Sequence, residues 1–185
     1  MSGFARRLQQ AASQQPVSGT VILAQDNFDR ADGSLGTANI GGSWSTFGTP
    51  SWEITGNMVN LTAAGGTNAV AVATLPVAMT HGTVVCDMYL SHKSANTGLC
   101  LRANGSSFPY LNVQLNKSSA YDRVAISKAV NGTTTWMASE VPDGLAYDTG
   151  YTLAAVLTAS TITIYVDGVQ QLLYRISTVA DSLHP

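Results

Sequence analysis

The chain has 185 residues, enough for one domain with a proper core, and a net charge of −2. Charged residues make up 11% of it, against about 25% in an ordinary domain; Thr, Ser, Asn and Gly take their place. That balance excludes a nucleic-acid binder, which needs clustered Lys and Arg to neutralise phosphates, and no apolar run approaches the roughly 20 residues that span a bilayer.

Residues 1–19 read differently from the rest. Ser2 caps a short helix whose face carries Phe4, Leu8 and Ala11 or Ala12, and Pro16 ends it. At about 12 residues such a helix is marginal alone. The segment is either a frayed terminus or an arm that docks on a partner through Phe4, Arg6, Arg7 and Leu8. Arg6 and Arg7 precede Gln and Ala rather than an apolar stretch, which does not read as a secretory signal.

From about Thr20 the pattern is β, and residues 20–185 are expected to form one sandwich domain. The cluster Asp26, Asp29, Asp32 and Gly33 is the densest acidic patch. It is either a calcium site, since calcium takes several oxygens on a turning backbone, or a strand followed by an Asp-Gly turn. Gly56-Asn57 reads as a turn between Trp52–Thr55 and Met58–Thr62. Further strands are predicted at Ala69–Leu75, Thr83–Ser91, Thr97–Ala103, Tyr110–Leu115 and Thr152–Thr158. Asn131-Gly132 and Asp167-Gly168 are two-residue hairpin signals, because both pairs tolerate the positive φ of a type I′ turn. They predict strands at Arg123–Val130 and Thr133–Ala138, and at Thr161–Val166 and Val169–Arg175. About a dozen short strands suit a sandwich or barrel.

Alternation assigns the faces. Val84, Cys86, Met88 and Leu90 share one side of their strand; so do Leu99 and Leu101, Leu111, Val113 and Leu115, Val124 and Ile126, Leu153, Ala155 and Leu157, and Ile162, Ile164 and Val166. Each such side chain contributes roughly 1.5–3 kcal/mol when buried. Cys86 and Cys100, placed on neighbouring strands, fall on opposite sides by this phase, so both thiols are expected to be free.

Catalytic residues are not found. The chain has two Glu, Glu53 and Glu140, far apart and in strand-like and loop-like contexts, whereas a glycosidase needs converging carboxylates. His81, His92 and His184 lack metal-ligand spacing. Four Asn-x-Ser/Thr triplets, at Asn60, Asn104, Asn116 and Asn131, read as turn and strand residues. Tyr89, Tyr110 and Trp136 are candidate stacking platforms for sugars, although large aromatics in a sandwich are more often core; Trp44 and Trp52 read as core.

The stretch Asp26-Asn27-Phe28-Asp29-Arg30-Ala31-Asp32-Gly33-Ser34-Leu35-Gly36, followed by Trp44, Trp52-Glu53-Ile54 and Asn57-Met58-Val59, resembles the opening of concanavalin A-like/laminin-G-like jelly-roll domains. Gly98–Arg102, Val130–Gly132 and Tyr165–Val169 agree with it. Such domains are frequent in minor tail and other virion structural proteins of bacteriophages that infect actinobacteria. The resemblance implies an all-β antiparallel sandwich with a short N-terminal arm. It also implies a non-enzymatic virion subunit, in tail or head decoration, assembled in the host cytoplasm. That subunit would be a homo-oligomer that meets other virion proteins through the arm and open sheet edges. The chain stops about ten residues after its last clear strand, so either Tyr174–His184 supplies the closing strand or a sheet edge stays open to pair with another chain. The alternative is a carbohydrate-binding adhesin module that contacts host cell-surface glycan and displays an exposed aromatic pair.

Overall fold

A computed structural model of the chain describes residues 21–48, 51–62, 71–90, 95–101, 110–117, 122–130, 133–141 and 144–176. Among them it is all β. The strands are β1 (Ser45–Gly48), β2 (Trp52–Thr55), β3 (Met58–Leu61), β4 (Ala71–Thr74), β5 (Gly82–Leu90), β6 (Ala95–Leu101), β7 (Tyr110–Lys117), β8 (Asp122–Val130), β9 (Thr133–Glu140), β10 (Thr149–Leu157), β11 (Thr161–Val166) and β12 (Val169–Arg175). Two four-stranded antiparallel sheets, in the orders β12-β11-β10-β5 and β6-β7-β8-β9, make the sandwich. Two small ribbons, β1-β4 and β2-β3, accompany it.

The predicted inner faces close on one another. Leu111, Val113 and Leu115 of β7, Val124 and Ile126 of β8, Leu153, Ala155 and Leu157 of β10, and Ile162, Ile164 and Val166 of β11 are all buried in one cluster. Their outward neighbours stay half-buried or exposed along β10 and β11, the signature of period-2 side-chain alternation. The hairpin turns obey the backbone demand read from the sequence. Asp167 and Gly168 have φ of 50° and 81°, and Gly56 and Asn57 have 60° and 61°, all in the left-handed region that these residues reach at small cost. The turn at residues 131–132 lies outside the described residues, but β8 and β9 pair with Val130 opposite Thr133.

Three expectations are corrected. First, β5 pairs with β10 and β6 with β7; the chain changes sheets between them. Cys86 and Cys100 therefore belong to opposite sheets rather than to neighbouring strands of one. Both thiols are free and half-buried. Second, residues 21–44 form no strand. They make isolated bridges, Gln25 with Ile40, Thr37 with Ser43 and Gly33 with Ile54, because glycines with positive φ keep turning the backbone. At Gly41 a Cβ would stand 2.9 Å from the Cβ of Ala24, a clash with packed chain. Leu35, Ala38, Ile54 and Val72 are buried in this part of the molecule, outside the main cluster. Third, Glu140 ends a strand instead of lying in a loop. β12, the second strand of the Asp167-Gly168 hairpin, ends at Arg175; the further closing strand expected over Tyr174–His184 falls mostly on residues 177–185, outside the described residues.

The burial contrast makes a stability prediction. Leu111→Ala or Ile164→Ala empties a fully buried position and is expected to lower unfolding free energy by about 2–5 kcal/mol. Leu173→Ala, on the exposed side of β12, is expected to change it by about 0.5 kcal/mol or less. Chemical denaturation of the three variants checks this.

Candidate functional site

The three carboxylates proposed for calcium do not converge. Asp26 makes a two-pronged bond with Arg30, each nitrogen at 2.8 Å. It also accepts Trp44 Nε1–H at 2.6 Å and the Phe28 amide at 3.0 Å. Asp29 takes the Asn57 side-chain amide, and Asp32 caps the Gly56 amide at 2.8 Å. Each carboxylate thus staples a different stretch of chain, and no group of three or more His, Cys, Asp or Glu fit to hold a metal occurs among the described residues. Arg30 also donates to the Leu35 carbonyl and lies 5.5 Å from the centre of the Phe28 ring. The motif behind the family resemblance is therefore a structural clasp. Burial raises the Asp26 pKa, but the hydrogen bonds from Arg30, Trp44 and Phe28, with the Arg30 charge, outweigh it and hold the carboxyl below its ordinary 3.8.

The candidate sugar platforms are not brought together either. Tyr89 is 51% exposed and alternates with buried Met88 and Leu90, so it points away from the core on the β5 sheet. Trp136 is 47% exposed and pairs with Ser127 on the outer face of the other sheet. Its ring already carries the Arg123 guanidinium, 4.3 Å from its centre. The side chain of Tyr110 and the arm residues Phe4, Arg6, Arg7 and Leu8 lie outside the described residues. Trp44 and Trp52 are half-buried. Asn116 is 4% exposed, which leaves no room for a glycan on that triplet.

What the sequence reading missed is a cleft of about 430 Å³ at one end of the sandwich. That volume falls within the roughly 300–1,000 Å³ usual for small-ligand sites. Its walls come from Gly144, Leu145, Tyr151, Val166, Asp167 and the β12 residues Val169, Gln170 and Gln171. Leu145 and Val166 are buried members of the main core, so the floor is apolar and held by the fold. The polar rim has a specific origin. Ile164 pairs with Leu172 but Tyr165 pairs with Gln170, so Gln171 is the extra residue of a β-bulge. Gln170, exposed, and Gln171, half-buried, both line the cleft beside this bulge.

The other walls are pinned by hydrogen bonds. Tyr151 accepts the Ala146 amide on its hydroxyl at 2.6 Å, tying the 144–148 loop to β10. The Asp167 amide donates to the Thr152 carbonyl at 2.9 Å, and Asp167 Oδ1 accepts the Thr152 amide at 2.8 Å. A preformed pocket with an apolar floor, a tyrosine and several neutral hydrogen-bonding groups suits a polar, uncharged small ligand with a C–H face.

Two outcomes follow from these environments. Asp26→Ala removes the clasp and is expected to cost about 3 kcal/mol, because the Arg30 guanidinium, the Trp44 Nε1–H and the Phe28 amide all lose their acceptor. In the parent chain the contribution of Asp26 is fully present above its ordinary value of 3.8 and is lost as pH falls through the lowered folded value. Acid unfolding should therefore set in more gradually in the variant, as followed by circular dichroism. Burial pushes both Cys86, helped by Asp87, and Cys100 up to about 11. A disulfide reagent near pH 8 should label them slowly in the folded chain and rapidly in denaturant.

No protein-family model and no curated protein sequence matches this chain. Among solved structures, it is similar to the carbohydrate binding module CBM66 from Bacillus subtilis. The TM-score is 0.60 and the identity 17%, over 73% of this chain and 80% of that one. The likeness is one of fold: both are β-sandwiches of the jelly-roll kind.

Proposed function

We propose that this chain is a non-catalytic carbohydrate-binding domain that holds a sugar in the end cleft between Tyr151, Leu145 and the bulged Gln170-Gln171 pair. The observation that carries the proposal is the bulge. Beside it Gln170, Gln171 and Asp167 line the cleft over an apolar floor, so one wall offers polar groups to the hydroxyls of a pyranose or furanose ring while the floor packs on its C–H face. Each neutral hydrogen bond contributes about 0.5–1.5 kcal/mol net. A single cleft therefore reaches millimolar affinity, near −4.1 kcal/mol, and useful attachment comes from several copies acting together. The fold shared with a carbohydrate-binding module supports this reading. The virion-subunit expectation draws no such support, and its docking arm lies outside the described residues.

The two glutamates stand away from the cleft. Glu53 and Glu140 lie on β2 and β9, in different sheets, and neither lines the cleft.

Glycan-array screening of an oligomerised form, followed by calorimetric titration, tests the proposal. At least one glycan should bind. Gln170→Ala with Gln171→Ala should weaken it by about tenfold or more, as expected for the loss of about 1.4 kcal/mol or more, while Trp136→Ala leaves it unchanged. Loss of binding in Trp136→Ala with the glutamine variant intact would move the site to the opposite sheet face and overturn the assignment.

A further inference from the structure

The charge pattern of the cleft narrows its ligand class, an inference that rests on the sugar-binding reading above. Among the described residues that line it, Asp167 is the only charged one. Its carboxylate is held in place rather than free to swing. The residue sits in the left-handed region with φ 50°, and both its amide and Oδ1 are bonded to the Thr152 backbone. Oδ2 takes no hydrogen bond from a described residue and remains as an acceptor. Across the β10–β5 register, Thr152 stands opposite Asp87 and donates its hydroxyl to Asp87 Oδ1 at 2.6 Å. Thr152 thus bonds two acidic side chains, of which Asp167 alone lines the cleft. Lys117 comes within 5.4 Å of the Tyr147 ring in the neighbouring loop, but it is bound to Asp122 at 2.7 Å, so its charge is met locally.

We propose that the cleft discriminates by charge: it accepts uncharged and amine-bearing sugars and rejects sugar acids, with Asp167 as the specificity determinant. A hydroxyl or an ammonium group donates to the oriented Oδ2. A uronate in the same place sets carboxylate against carboxylate, and it meets no cation among the described lining residues to offset the repulsion. The carboxamides of Gln170 and Gln171 bind either kind of sugar and so do not discriminate.

The test uses matched sets that differ only in charge: the methyl glycosides of glucose, glucosamine and glucuronic acid, and the corresponding galactose set, titrated into the full chain and into Asp167→Asn. The substitution keeps an oxygen for the Thr152 amide and leaves Asn-Gly, itself a good type I′ turn, so folding is preserved; thermal melting verifies it. In the parent chain the neutral and amino members of a set should bind at least about tenfold more tightly than the uronate, a difference of about 1.4 kcal/mol. In Asp167→Asn the uronate should come within about threefold of the neutral sugar and the amine should lose its advantage. Equal binding of uronate and neutral sugar by the parent chain, or a ratio unmoved by the substitution, overturns the charge filter while leaving sugar binding intact. A parent chain that binds no member of either set, nor any glycan on the array, overturns the sugar reading and this inference with it.

Discussion

Leu111, Val113 and Leu115 on one sheet and Leu153, Ala155 and Leu157 on the other are buried in a common layer, on which the two-sheet packing depends. Burial of these side chains is the largest favourable term available to a chain so poor in charge. It also forces the outward positions to be whatever remains, which here is mostly hydroxyl and carboxamide. The neutral exterior is thus compatible with solubility without strong electrostatic fields, and it makes each isolated carboxylate locally important.

The layer ends where the cleft begins. Leu145 and Val166 belong to the core and to the cleft floor at once, so the apolar surface of the cleft is positioned by the same packing that stabilises the fold. The polar wall is then added locally: Gln170 and Gln171 beside a β-bulge, and an Asp-Gly turn whose side chain is locked onto Thr152. A site built from a bulge and a hairpin tip on a rigid sheet end is pre-organised, and pre-organisation reduces the ordering cost of binding a small ligand. The acidic N-terminal motif shows the contrasting use of charge. Asp26, with a side chain 2% exposed, pairs with Arg30 and Trp44 to hold a segment that has no strands of its own; it supports structure and does not line the end cleft.

The strands and their inward faces were legible in the residues because both rest on local physics. Thr161–Val166 and Val169–Arg175 flank Asp167-Gly168, and steric limits on positive φ alone mark that turn. Leu99 and Leu101 reveal their common face through a two-residue period that no distant contact is needed to explain. Cys86 and Cys100 show where such reasoning stops. Their phases were read correctly, but alternation states which side a residue faces and is silent on which strand lies beside it. The partners of β5 and β6 were settled by the way two sheets cover each other.

The amino-acid sequence by itself determined an all-β chain, its hairpins, its inner faces and its weakly charged skin, since each follows from side-chain period, backbone sterics or composition within a few residues. Tertiary structure alone decided that the acidic cluster is a clasp, that Tyr89 and Trp136 stand on opposite sheets, and that a cleft opens beside Gln170 and Gln171. The physical reason is range. Asp26 meets Trp44 across 18 residues, Asp87 meets Thr152 across 65, and a one-residue bulge has no local signature, because it exists only as a mismatch between two strands already paired.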